Sequence, residues 1–450
     1  MNRAIGRWVI GFLWLAIAIA VGVLVFQGKV GWDTGVYWSA IKSVERNGDP
    51  YAEGIAVQQI FHNQSHDPQA APPMTYVYSP LTLPLLRILG HIPAALLGVA
   101  YYLALLGGFL LQLWGGWSMA TPDERRVLPY LFPFVAFFPG LLNEAVLLSG
   151  NIAYILYGLI LAAAVPGWRK SRWGWYYLAV LFASVCKAPL LTLIAFPALW
   201  DKRQRFMAGA VGAIGTVLFA CQSRLFPSLF PEYLRAVNMQ FEFNSDFGFG
   251  PAGLIAGALQ RAGLPYSPVA DICYLVFALA VLVVLWRSRH YSYLSREAGV
   301  TWLPVLLVGT VLLNPRIKEY DVAALTIPMF LIAYRCVATA RECFRESQSR
   351  VTPHLVTNTS RLQSTTRPMN RLDGKSLHVL LTALGWFIAI NFATACGIWK
   401  PLELGLLLLS FGAGSWTFVH RARSSCSSAE SGAYGIAESK ISLGLLSERY

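Results

Sequence analysis

Apolar runs close to the length of a bilayer crossing recur from one end of this chain to the other, and that recurrence decides what it can fold into. A helix needs about 20 mainly apolar residues to cross the hydrocarbon core. Inside lipid, every exposed backbone polar group must be satisfied within the protein, which leaves helices and closed barrels. Runs near 8–26, 94–115, 127–147, 151–166, 174–187, 188–200, 206–226, 270–287, 299–314, 321–340, 376–394 and 401–419 meet or approach that length. Composition agrees, with 56% of the 450 residues hydrophobic and 13% charged, roughly half the charge of a soluble domain. The expected fold is an all-α polytopic membrane protein, a bundle of about 12 transmembrane helices with two larger extracytoplasmic loops. The first run exceeds a signal-peptide core and ends in Gln27-Gly28-Lys29 without a small-residue cleavage site, so it counts as a span.

Arginine and lysine set the orientation. Alternate connections carry the positive charge: Arg3 and Arg7, Arg125 and Arg126, Arg169 to Arg172, Lys202 to Arg205, Arg287 to Arg296, Arg341 to Lys375, then Arg421 and Arg423. By the positive-inside rule that side is the cytoplasm, and both termini lie there, in a multi-pass protein of the plasma (inner) membrane. The formal charge of +13 therefore reflects topology. Nucleic acid is excluded as a partner, because the basic residues are scattered over many connections with no recognition module.

On this topology, residues 1–343 form a transmembrane catalytic module whose outer loops cover about 28–78 and 227–269. Residues 344–375 form a cytoplasmic loop rich in Ser, Thr and Arg, 376–420 a C-terminal transmembrane pair, and 421–450 a disordered cytoplasmic tail. Pro251–Gly263 reads as an amphipathic interfacial helix. The cysteines imply no disulfide framework, since Cys186, Cys221, Cys273 and Cys336 fall in apolar runs. Gly248–Gly253 matches a dinucleotide fingerprint only as a string; it lacks the strand and helix context, and Pro251 removes a backbone donor. His62, His66 and Asp67 could share a helical face, but a solvated loop explains them, and no metal and no cofactor is expected.

The informative residues are polar groups at the outer ends of spans. Asp33 follows span one within Gly31–Tyr37, and Asp49-Pro50-Tyr51 and Tyr76–Pro80 lie farther along the same loop. Asn143 and Glu144 close span three, Asn151 opens span four, and Lys187 divides two short apolar runs. Asn314–Asp321 joins spans nine and ten and supplies Arg316 and Lys318. Ionisable groups at membrane depth are costly and mark functional pathways, although single ones also serve as interfacial anchors. Together they put carboxylates and three cations on one side, which suits a lipid phosphate beside an acceptor hydroxyl.

The elements Asp33, Asp49-Pro50-Tyr51 and Tyr78-Ser79-Pro80 resemble the first outer loop of glycosyltransferase family 87. Gly150-Asn151, Lys187-Ala188-Pro189, Asn244-Ser245 and Asn314-Pro315-Arg316 are further echoes, so the resemblance runs over roughly residues 8–340. It implies a GT-C-type fold and an enzyme that takes a sugar, typically mannose, from a polyprenyl phosphate. It also implies substrate contacts at Asn151 and Asn244. Asn stands where the family often has Gln after Gly150, and Ala188 separates Lys187 from Pro189. Those departures bear on substrate contacts more than on reaction class.

The residues support the same chemistry. A departing lipid phosphate needs cations, and Lys187, Arg316 and Lys318 are the candidates for binding it. An acceptor hydroxyl must lose its proton as it attacks, and Asp33 is the candidate base. Direct displacement with inversion follows, onto a lipid-linked or glycan acceptor. Asp49 is the fallback base, although Asp-Pro also reads as a turn. Tyr37, Tyr51 and Tyr78 could stack on a sugar or belong to the interfacial aromatic belt. The alternative class is a polytopic lipid or sugar transporter or flippase, which would spread its essential charges through both faces of the bundle.

Overall fold

Lipid forces the apolar runs into helices, and every regular element among the described residues is helical. The computed structural model describes residues 3–27, 31–64, 74–137, 141–142, 144–242, 246–293, 296–351 and 401–422, with short stretches between 381 and 396. The tail beyond Ala422, residues 352–380, and His66, Asp67, Asn143 and Asn244 lie outside them. The chain begins with α1 (Arg3–Gln27), α2 (Trp32–Glu45) and α3 (Pro50–Gln64), then a 3-10 turn (Pro80–Thr82) leading into α4 (Leu83–Gly90). Next come α5 (Ala94–Met119), α6 (Pro122–Phe137), a π turn (Glu144–Leu148), α7 (Ala153–Lys170) and α8 (Gly174–Cys186). A 3-10 segment (Ala188–Ile194) continues into α9 (Ala195–Trp200), followed by α10 (Gln204–Leu225), α11 (Leu229–Glu242) and α12 (Pro251–Arg261). Then come α13 (Ser267–Ser292), α14 (Arg296–Leu312), the short α15 (Glu319–Ala323), α16 (Thr326–Val351) and α17 (Pro401–Ala422).

Four of these, α5, α10, α13 and α17, are long and apolar enough to cross a membrane alone, and the chain is an integral membrane protein. Several of the other apolar runs form helices of 10–17 residues or broken pairs. Residues 31–64, expected as part of a loop, are helical over most of their length. Tyr37, Ala40, Ile41 and Val44 repeat at helical spacing and give α2 a buried face. The stretch 251–263 is helical as the sequence suggests, over Pro251–Arg261.

Two features fix the bundle around the site. At one end, Arg335 of α16 forms a bidentate pair with Glu124 of α6, at 2.7 and 2.8 Å, and both side chains are buried. The same guanidinium donates to the Thr301 carbonyl of α14 at 2.7 Å, so one charge pair binds three helices. The second feature is the break after α8. Lys187 is extended (φ −136°, ψ 97°), and Pro189 just beyond it disfavours helical continuation. The chain turns back there, and the Tyr176 hydroxyl near the start of α8 donates to the Leu193 carbonyl at 2.7 Å. Trp173, Tyr176 and Phe196 pack ring to ring below, 5.6–5.9 Å apart. The hairpin therefore has an aromatic foot and carries Lys187 at its tip.

Candidate active site

Asp33 reaches its place through a tight backbone junction. It occupies the first turn of α2, whose opening amides are pinned because Asp33 N–H and Thr34 N–H donate to the Ser149 carbonyl at 3.0 and 3.2 Å. The two segments meet so closely that a Cβ on Gly31 would collide with the Leu148 carbonyl oxygen. Gly150 holds φ +70°, and a Cβ there would also press on the Thr34 side chain. Only glycine suits either position. The tyrosines then brace the junction. Tyr37 and Tyr78 share a hydroxyl–hydroxyl bond of 2.6 Å, the Ile152 N–H donates to Tyr37 at 3.2 Å, and Tyr101 donates to the Gly150 carbonyl at 2.7 Å.

Asn151 is the hub of the polar cluster. Its amide nitrogen donates to the Asp33 carboxylate at 2.9 Å, across 118 residues of sequence, and its amide oxygen accepts from Lys187 Nζ at 2.9 Å. An ammonium can only donate, so this contact fixes which end of the amide faces Asp33. Lys187 is further held over the Tyr320 ring at 3.8 Å from its centre. Burial pushes the Asp33 carboxyl above the ordinary carboxylate range, against the opposing pull of Lys187 and of hydrogen bonds from Asn151 and Ser149. A carboxylate made more basic in this way is a better proton acceptor at neutral pH.

The polar cluster faces one cavity of about 1120 Å³. Asp33, Tyr78, Asn151, Lys187, Arg316 and Lys318, drawn from positions far apart in the sequence, line it together. Arg316 and Lys318 both pair with the Asp246 carboxylate, and Arg316 also donates to the Asp246 carbonyl at 2.9 Å and to Gln240 at 3.2 Å. The Phe249 N–H donates to the Ile317 carbonyl at 3.0 Å, which ties the segment carrying Asp246 to the one carrying the cations. Asp321 caps α15 by accepting the Lys318 N–H at 2.7 Å, and it lines the cavity beside Tyr320.

Other sequence candidates sit elsewhere. Asp49 accepts the N–H groups of Tyr51 and Ala52 at 2.8 and 3.1 Å, capping α3, and does not line the cavity. Tyr51 is fully enclosed and donates to the Tyr78 carbonyl at 2.6 Å, while Tyr37 lies beneath Tyr78. Asn244 is outside the described residues. Sequence alone gives no partner to Asp246 and no separate role to Asp321. The pairing of Asp246 with Arg316 spans 70 residues, and no local pattern signals it. Among the described residues no three His, Cys, Asp or Glu side chains gather as a metal site.

The family model described as Glycosyltransferase family 87 matches residues 76–315, just over half of the chain. No curated protein and no solved structure matches. The matched span includes Tyr78, Asn151, Lys187 and Asn314, and ends just before Arg316. Asp33 lies outside it and is brought to the site by the junction at Ser149.

Proposed function

Because the chain belongs to glycosyltransferase family 87, we propose that it moves a sugar, mannose first among the candidates, from a polyprenyl-phosphate donor to a hydroxyl of a lipid-linked or glycan acceptor. The reaction takes place on the extracytoplasmic side of the plasma (inner) membrane. About twelve helical crossings, several built from paired short helices, carry both termini to the cytoplasm. The observation that carries this reading is the cavity shared by Asp33, Lys187, Arg316 and Lys318. A base and a set of cations facing one space is what displacement of a phosphate by a hydroxyl requires.

In the mechanism, the acceptor oxygen attacks the anomeric carbon and its proton passes to Asp33. The bond from that carbon to the phosphate oxygen breaks, and its electron pair leaves with the lipid phosphate. Lys187, Arg316 and Lys318 meet the charge that develops there. One displacement inverts the anomeric centre and forms no covalent intermediate. Asn151 holds the base through its 2.9 Å contact and is itself held by Lys187, so its part is to orient Asp33 as well as to border the sugar. Asp246 bridges Arg316 and Lys318 and offsets one of their two charges until the donor phosphate arrives. Tyr78 offers an edge to the cavity, with Tyr37 and Tyr51 supporting it from behind.

The test is transfer from labelled polyprenyl-phosphate mannose to host lipid extract by the purified chain, run beside Asp33→Asn and Asp49→Asn at matched protein levels. Asp33→Asn should lose roughly a hundredfold to ten-thousandfold in rate, the usual contribution of a positioned base. Asp49→Asn should transfer normally, because Asn caps a helix about as well as Asp. Normal transfer by Asp33→Asn would overturn the mechanism, and no transfer by the parent from any polyprenyl-phosphate sugar would overturn the donor.

A further inference from the structure

A gathering of cations outside the cavity lies at the basic end of α13. The guanidinium carbons of Arg205 and Arg289 sit 4.5 and 5.4 Å from the centre of the Trp286 ring. Arg289 and Lys202 likewise lie 5.2 and 5.9 Å from the centre of Tyr293. Two rings thus hold three cations together. None of the three joins an ion pair among the described residues. The neighbouring Asp201 carboxylate accepts the backbone N–H of Arg203 at 2.9 Å.

Arg289 is the unusual member. It is only 4% exposed, its Nε donates to the Tyr293 hydroxyl, and its Nη2 has no hydrogen-bond partner among the described residues. The great majority of buried polar groups in folded proteins are hydrogen-bonded, so each exception needs an explanation. Among the described residues no carboxylate pairs with these three charges, which points to an anion from outside the chain. Aromatic rings beneath cations are weak counter-charges and do not replace one.

The surroundings say what carries that anion. Ile272, Leu279 and Trp286, each seven residues from the next, are 62%, 63% and 56% exposed and mark one outward stripe of α13. The stripe is about 21 Å long at 1.5 Å per residue, more than one leaflet of a hydrocarbon core of about 30 Å. It ends on the ring that the two arginines share. We infer that Lys202, Arg205 and Arg289 form a binding site for the phosphate of an anionic phospholipid, with an acyl chain lying along the α13 stripe. Opening the Tyr293 contact would let that phosphate reach Arg289, while Arg205 and Lys202 hold it from the rim. The site is separate from the sugar-transfer cavity and does not depend on the donor assignment.

The full chain, stripped of lipid in a neutral detergent, can be titrated with phosphatidylglycerol and with phosphatidylcholine of the same acyl chains. Native mass spectrometry counts bound lipid, and thermal unfolding reads its effect. Phosphatidylglycerol should bind one per chain at low concentration and raise the unfolding temperature, and phosphatidylcholine should need at least tenfold more. The double variant Lys202→Gln with Arg205→Gln changes only exposed side chains, and it should bind phosphatidylglycerol at least tenfold more weakly while transferring sugar normally in detergent. Arg289→Gln should show the same loss if it folds; the double variant keeps the test valid if it does not. Equal binding of the two lipids, or unchanged phosphatidylglycerol affinity in the double variant, would overturn the site. Equal protection by glycerol 3-phosphate alone would overturn the lipid as its occupant.

Discussion

Replacing Asn151 with Ala tests whether this amide orients the base or merely touches the sugar. The Asn151 amide lies 2.9 Å from the Asp33 carboxylate, and its other end is fixed by Lys187. A hydrogen bond to a charged group is worth about 1.5–3 kcal/mol, and it favours the ionised form of Asp33. Burial, which already pushes that carboxyl upward, remains when the amide is gone. At 1.36 kcal/mol per tenfold change in the ionisation equilibrium, the rise of rate with pH should move up by about one to two pH units. The loss of transfer should therefore be greatest in mild acid and should shrink as the pH is raised. The assay is kcat/KM for the polyprenyl-phosphate sugar between about pH 5 and 9. Asn151→Gln, which keeps an amide, should restore part of the parental profile. A uniform loss with an unmoved pH profile would refute the argument and make Asn151 a substrate contact.

Asp33 has a linked effect on stability. A carboxyl whose folded-state pKa is raised favours folding while protonated, and that contribution is lost as the pH climbs through the raised value. Asp33→Asn should therefore unfold no lower than the parent, with any gain growing as the pH rises above the ordinary carboxylate range, read by differential scanning fluorimetry, even though it fails in transfer. Lys187→Ala and Arg316→Ala should each lose about 2–4 kcal/mol of transition-state stabilisation, roughly 30- to 1000-fold in kcat/KM; parental rates in both would place the phosphate elsewhere. Breaking the buried Glu124–Arg335 pair with Arg335→Met should cost about 3–5 kcal/mol, and adding Glu124→Leu should recover much of it, because the lone buried carboxylate is then gone. Thermal unfolding of the two variants side by side measures that recovery, and an equal loss in both would show that packing outweighs charge there.

The helices were readable from sequence where lipid leaves a chain no choice. The runs at 94–115, 206–226 and 270–287 became α5, α10 and α13, with ends moved by a few residues. The outer segments were harder, because α2 and α3 are held by burial against the bundle and have no long apolar run to announce them. At the site, Asp33, Asn151, Lys187, Arg316 and Lys318 could each be picked out as a polar group at the outer end of a span. Their mutual contacts could not. The bond from Asn151 to Asp33 depends on a backbone junction between α2 and the turn before α7, and Asp246 meets Arg316 only once α11 and the Asn314–Asp321 segment have packed. Asp49 shows the converse: beside Pro50 it reads as either base or turn, and its carboxylate caps α3.

The hairpin at Lys187 places its tip far from its foot. Thirteen residues of α8 lift the ammonium about 20 Å above the Trp173, Tyr176 and Phe196 foot. A tilt of about three degrees about that foot would carry the tip about 1 Å, and a displacement of that size in a positioned group can cost about a hundredfold in rate. On the proposed mechanism, transfer speed would depend on the aromatic packing at the far end of α8, which does not line the cavity. Substitutions there that leave the protein folded should still register as slow enzymes.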